Sequence, residues 1–185
     1  MTKYAKQDFP VSGIRRFLEP GPVVLVISAW KGQRNIMTMG WHMVMEFTPS
    51  LIGCLISSGN HSYDMISRSK NCVINVPTLE LAKTVVGIGN CSGADTDKFE
   101  KFKLTAREPE VVRSPLIAEC YVNLECRLVD GRMREKYNFF IFEVVKAHAA
   151  RTPKYPKTIH YRGDGQFMVA GQSLNLRRLF RSEML

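Results

Sequence analysis

Leu116-Ile117-Ala118-Glu119-Cys120-Tyr121-Val122-Asn123-Leu124-Glu125-Cys126-Arg127-Leu128 has an apolar side chain at every even number from 116 to 128. Its odd positions include Glu119, Asn123, Glu125 and Arg127. A period of two is the pattern of a strand with one face in a core, so this stretch predicts a β-strand. Asp130-Gly131 then offers a turn into residues 138–147, NFFIFEVVKA, dense in aromatic and β-branched side chains. Upstream, residues 72–76 (CVINV), 51–57 (LIGCLIS) and 22–29 (PVVLVISA) read as further strands, the last entered through Pro20-Gly21-Pro22. Lys31-Gly32-Gln33 predicts a hairpin turn into another strand near 35–45.

Helices are fewer. Ser62 or Asn60 can cap a short helix through Tyr63, Met65 and Ile66, and Thr78 can cap one running from Leu79 through Val86. Leu174, Leu176, Leu179 and Phe180 fall within two turns, which predicts an amphipathic tail helix over about 173–181. Six or more strands against three short helices, without sustained strand-helix alternation, predict a mainly β fold: a closed or nearly closed barrel with helical excursions. The expectation is a single domain over residues 1–185, with the barrel core at about 20–171.

Composition narrows the function. The 185 residues carry 26 Lys+Arg against 17 Asp+Glu, a formal charge of +9, with 45% hydrophobic residues. Such a chain buries roughly 70% of its unfolded surface and needs no staples. The longest apolar run, Val23 to Ala29, is broken by Ser28 and falls far short of the ~20 residues of a membrane span. MTKYAKQDFPVSG has no apolar leader segment, so the expected compartment is the cytoplasm. Cys54, Cys72, Cys91, Cys120 and Cys126 form no CxxC pair, and His42, His61, His148 and His160 are scattered, so neither a disulfide framework nor a metal site is expected.

Three segments could carry chemistry. In Arg34-Asn35-Ile36-Met37-Thr38-Met39-Gly40-Trp41, polar residues, a glycine and a tryptophan interrupt a hydrophobic strand. One cause of that pattern is a flat heteroaromatic ligand, read by Asn and backbone amides and packed against Trp and Met; the other is an edge strand with Trp41 as plain core. A spacing of three cannot put Asn35, Thr38 and Trp41 on one strand face, so the ligand reading needs a bulge or a bend. Ser57-Ser58-Gly59-Asn60-His61-Ser62-Tyr63, between a strand and a helix start, suits either a phosphate or a simple capped loop. Residues 87–99, GIGNCSGADTDKF, fit neither GxxxxGK[ST] nor GxGxxG, leaving a solvated connection that ends in Lys98. There is no GxSxG, and Glu119 and Glu125, roughly 20 Å apart on a strand, cannot act as a carboxylate pair, so hydrolase chemistry is unsupported.

The order and spacing of PVVLVISAWKGQRNIMTMGW (22–41), SSGNHSYDMI (57–66), NCVINVP (71–77), VGIGNCSGADTDKF (86–99), SPLIAECYVNLEC (114–126) and FFIFEVV (139–145) resemble the flavin reductase-like, FMN-binding split-barrel family, in its flavoredoxin-like branch. The resemblance runs from about Pro20 to about Gly171. It implies a six-stranded split barrel with FMN held non-covalently near a homodimer interface. It places Asn35, Met37, Thr38 and Trp41 along the isoalloxazine ring and ribityl chain. Ser57, Ser58, His61 and Ser62 would surround the phosphate, with Lys98 reaching the same end and Tyr161 closing the site. Many reductases of the family carry Gly-Asp-His before the late strand and a glycine within it. Here the histidine position falls on Tyr137 and the glycine on Phe142, which weighs against direct NAD(P)H oxidation more than against FMN binding.

The expected function is therefore a flavoprotein oxidoreductase that either reduces flavin with NAD(P)H as co-substrate or passes electrons through bound FMN to a redox partner protein. A charge of +9 would help hold a dianionic phosphate. It also permits a basic barrel that binds single-stranded nucleic acid, a reading disfavoured by the even spread of the basic residues and the lack of an RNP-like motif. A third reading is a split-barrel dimer that has lost its flavin.

Overall fold

A computed structural model describes residues 21–153 and 155–184. The readings made for MTKYAKQDFPVSG and Pro20 lie outside them. Seven strands form one antiparallel sheet: β1 (Val24–Trp30), β2 (Gln33–Met39), β3 (His42–Phe47), β4 (Ser50–Leu55), β5 (Asn71–Val76), β8 (Val122–Asp130) and β9 (Phe139–Ala149). Their order is β2-β1-β5-β8-β9-β4-β3, and two small hairpins flank the sheet, β6 (Ala106–Arg107) with β7 (Leu116–Ile117) and β10 (Ile159–Gly163) with β11 (Gln166–Val169). The helices are α1 (His61–Ser69), α2 (Ala82–Gly89) behind a 3-10 turn at Leu79–Leu81, and two single turns, α3 (Lys98–Lys101) and α4 (Arg134–Tyr137). None is long and apolar enough to cross a membrane.

The continuous apolar run of β1 follows from burial on both faces. Leu25 and Ile27 point outward into a layer with Ile36, Val73, Val85, Ile88 and Phe99. Val24 and Val26 point into the barrel with Met37, Cys54, Ile56, Cys72, Cys126, Phe140 and Phe142. Each such side chain contributes roughly 1.5–3 kcal/mol by leaving water. Burial pushes the Cys54 and Cys72 thiols far above the ordinary range and Cys120 up to about 12, so all three stay protonated and behave as small apolar groups.

Three sequence expectations need correction. Residues 116–128 are not one strand: Cys120 N–H bonds to Ile117 O and Tyr121 N–H to Val76 O, so a turn separates β7 from β8. Both faces of β8 are also covered, since Asn123 is 9% exposed and Glu125 has no exposed surface. The polar face is a clamp on the segment that crosses it. The Glu125 carboxylate accepts the N–H groups of Glu110, Val111 and Val112 at 2.9, 2.7 and 3.0 Å, with His148 Nε2 2.8 Å away. Asn71 Oδ1 accepts Arg113 N–H, Ser114 N–H and the Ser114 hydroxyl, and Asn75 Oδ1 accepts Ile117 N–H. Burial alone would raise the Glu125 pKa, but these donors outweigh it and hold the carboxyl at about 2.

Second, the strand expected near 35–45 is two strands that break at Gly40-Trp41. Third, the tail expected as a helix over 173–181 holds only a 3-10 turn at Arg177–Leu179, with another just beyond it at Ser182–Met184. Leu174 and Leu179 are 80% and 79% exposed, so the apolar stripe has no surface to pack on, and a short helix without packing is marginal.

Candidate functional site

The site is built around β2, which ends the large sheet. Lys31 and Gly32 close the β1–β2 hairpin with φ of 49° and 78°, the left-handed pair that a two-residue turn requires. In an antiparallel pair, alternate residues turn their backbone groups away from the neighbouring strand. Ile36 is one of these, because its carbonyl accepts the Lys98 ammonium at 2.7 Å, and Thr38, two residues on, has the same orientation. Lys98 also donates to Ile88 O at 3.0 Å, near the end of α2. It is 5% exposed, and burial pushes its pKa down. Lys98 thus fastens α2 to the open rim of β2 through these two carbonyls. A second tie is the Thr38 hydroxyl, which donates to Val85 O at 2.7 Å.

Asn35 and Ser62 meet, but inside the protein. The Asn35 amide donates to Ser62 Oγ at 2.9 Å, and Ser28 Oγ donates to the same oxygen at 3.1 Å. Ser62 is fully buried and its N–H bonds to Asn60 Oδ1, the N-cap of α1. Asn35 Oδ1 is buried without a hydrogen-bond partner. Gly93 lies directly on it: a Cβ there would collide with the Asn35 amide.

Three clefts surround these residues. One of about 260 Å³ is lined by Met37, Thr38, Trp41, Leu55, Ser57 and Asn60. Another, of about 550 Å³, lies between α2 and the β10–β11 hairpin and includes Thr38, Trp41, Val86, Asn90, Tyr161 and Phe167. They share Thr38, Gly40 and Trp41, which the break after β2 brings together, while Asn35, buried against Ser62, lines neither. The third, about 650 Å³, lies at the other end of β2 beside Arg34, His61, Gly93, Asp95 and Asp97, where Arg34 pairs with Asp97 at 3.0 Å. A fourth cleft, of about 570 Å³, sits at the hairpin tip near Lys31 and Arg113 and holds none of the expected residues.

The structure therefore brings Met37, Thr38, Trp41 and Ser57 together, adds Tyr161 from across the larger cleft, and turns His61 toward the charged one. Ser58 is exposed, its N–H bonded to Asn138 Oδ1 at 3.1 Å. Trp41 is 51% exposed and so is not sealed in a core. Tyr137 stands outside the three clefts at 55% exposure, and Phe142 is fully buried beside Phe140. Sequence reasoning missed Phe167 and the Gly93–Asn35 contact; Ser28, the polar break in an apolar run, was a signal for the buried network.

The clefts open along the rim of a seven-stranded antiparallel sheet, and solved flavin reductase-like proteins share that fold. An FMN-binding domain of a flavin reductases-like enzyme from Shewanella baltica is 26% identical, covering 90% of this chain and 95% of that one, with a TM-score of 0.77. A flavoredoxin from Methanosarcina acetivorans, 21% identical, covers 98% of this chain and 100% of its own with a TM-score of 0.81. The flavin reductase like domain matches residues 15–167, and the chain belongs to that family. An uncharacterized protein of Archaeoglobus fulgidus is 34% identical over 135 residues, 73% of this chain and 76% of its own.

Proposed function

We propose that this chain is an FMN-binding flavoprotein oxidoreductase that works as a homodimer. The observation that carries the reading is the meeting of two clefts at Thr38–Trp41, on the open rim of β2 and beside the capped start of α1. The residues fit the cofactor: an exposed indole and two methionines for a flat ring, strand-edge backbone groups for its polar rim, and a serine loop at a helix N-terminus for its phosphate.

Bound FMN would supply hydride or single-electron chemistry. The chain's own part is placement. Met37, Thr38 and Trp41 would hold the ring, with Asn35 and Ser62 setting the wall behind it. Ser57, Ser58 and His61 would take the phosphate end, Lys98 would position β2 from behind, and Tyr161 would close the far side. The exposed strip of Met43, Val44, Met45 and Phe47 on β3 supports a second copy as partner. Whether the electrons come from NAD(P)H or from a redox protein is read by anaerobic bleaching of the bound flavin under NADH and NADPH.

Titration of apo-protein with FMN, followed at the flavin visible band, tests the site. Trp41→Ala is expected to weaken uptake at least tenfold, and an unchanged affinity would reject the assignment.

A further inference from the structure

We infer that the face built by the β8–β9 turn, α4 and the end of α1 docks an acidic protein. The inference deepens the flavin reading by giving it a class of partner, and it rests on that reading for what the partner is brought to; the contact itself stands on the surface alone.

Three elements meet at this face. α1 ends at Lys70, whose φ of 58° turns the chain and whose carbonyl accepts Leu128 N–H at 2.9 Å, so a lysine is held against the end of β8. After Asp130-Gly131, α4 is a single turn, and Tyr137 N–H bonds back to Met133 O at 2.9 Å, which makes the two side chains neighbours. Val129, Met133 and Tyr137 are 49%, 41% and 55% exposed. Lys70, Arg132 and Arg134 stand around a cleft of about 420 Å³, and Lys136 lies over the Tyr137 ring at 5.2 Å.

These four cations stand against two carboxylates. Arg132 takes Asp130 at 2.6 Å and Arg134 takes Glu135 at 3.4 Å, while Lys70 and Lys136 are in no ion pair among the described residues. Cations ringing exposed apolar side chains select a partner with carboxylates around an apolar centre, because complementary charge steers the encounter and the apolar middle holds it. A nucleic acid gains from the cations and the tyrosine ring but not from Val129 and Met133, so the composition favours a protein. The face also adjoins the candidate site. Asn138, the residue after Tyr137, has a φ of 57°, accepts Ser58 N–H at 3.1 Å and lines the smaller cleft with Met37 and Trp41.

The test uses oxidised plant-type ferredoxin, a small acidic iron–sulfur protein, as the probe, titrated calorimetrically into FMN-loaded full-length protein at low ionic strength. Binding is expected, and is expected to weaken as salt is raised. Arg132→Glu combined with Lys136→Glu should lower affinity at least about tenfold, whereas Arg177→Glu combined with Arg178→Glu, the same change of charge on the tail, should lower it less than about threefold. Tyr137→Ala removes apolar contact at constant charge and should weaken binding about threefold or more. FMN uptake is expected to be unchanged in all of these variants. No ferredoxin binding, equal losses from the two charge reversals, or indifference to Tyr137→Ala would overturn the proposal. So would a dimer split by the Arg132/Lys136 reversal, which gives the face to a second copy, or tighter binding of single-stranded oligo-dT lost in that variant, which gives it to nucleic acid. Loss of FMN uptake together with ferredoxin binding would also overturn it, since the face would then belong to the flavin site. Ferredoxin binding abolished by the Arg132/Lys136 reversal in a protein that takes up no FMN would sink the flavin reading and leave the docking face standing.

Discussion

Glu125 has no surface in contact with water, yet three backbone N–H groups and a histidine face its two oxygens. The free carboxyl titrates near 4.5, while the folded one sits at about 2. A depressed folded-state value means that its stabilisation is complete above the unfolded pKa and disappears as pH falls through the folded one, a window from about pH 5 down to 2. The wild-type unfolding free energy is expected to fall by on the order of 3 kcal/mol across that window from this group. Glu125→Gln should cost about 1–3 kcal/mol at pH 7 and flatten the acid limb, both read by urea denaturation. Gly93 is governed by space instead. Gly93→Ala drives a methyl into the Asn35 amide and should cost about 1–3 kcal/mol. Adding Asn35→Ser, which removes the obstruction, should recover part of that loss in thermal unfolding, and equal losses in the single and double variants would refute the contact.

At the scale of elements, α2 and β2 are held together by few ties: the Lys98 ammonium on Ile36 O and Ile88 O, the Thr38 hydroxyl on Val85 O, and apolar packing of Val85 and Ile88. Lys98→Met keeps the length of the side chain and removes the donors, leaving Ile36 O without its ammonium and Ile88 O with only the weak Cys91 thiol at 3.8 Å. It should cost about 1–3 kcal/mol in chemical denaturation and weaken FMN uptake, because the rim that would read the ring is no longer pinned. These elements were partly legible. The apolar run at 22–29 follows from a strand buried on both faces, and the interruption at Gly40-Trp41 is the break that brings Thr38 and Trp41 to shared clefts, although Asn35 stays buried against Ser62. The target of Lys98 was not legible, because a lysine that ends a polar loop looks solvated until the fold brings a carbonyl 62 residues away to meet it. Glu125 misled in the same way: alternation marks it as the wet face, and only the crossing of residues 110–112 makes it dry.

Across the whole molecule, β3 is the element that a lone chain leaves uncovered. Val44 and Phe47 are 68% and 85% exposed, with Met43 and Met45 beside them, on a strand that ends the sheet. Monomers rarely expose such a patch. Sedimentation is expected to show a dimer, and Phe47→Asp combined with Val44→Lys should shift it toward monomer without unfolding the barrel; a monomeric wild type would remove the homodimer from the proposal. The tail is the counterpart that sequence could not settle. Its apolar residues, clustered within two turns, predict a helix, but in the folded chain they meet no partner face among the described residues, and periodicity says nothing about whether one exists.

The lysine that ties down the Ile36 carbonyl on the rim of β2 is far from it along the chain. A ribosome adding roughly 5–20 residues each second needs on the order of 3–12 s to travel from Ile36 to Lys98. Throughout that interval the nascent hairpin presents its edge without the lysine and the helix that later cover part of it, and bare strand edges are where stray strands add. Yield in the cell would then depend on how quickly translation reaches codon 98, and slow codons between the two positions would cost soluble product even though they change no atom of the finished protein.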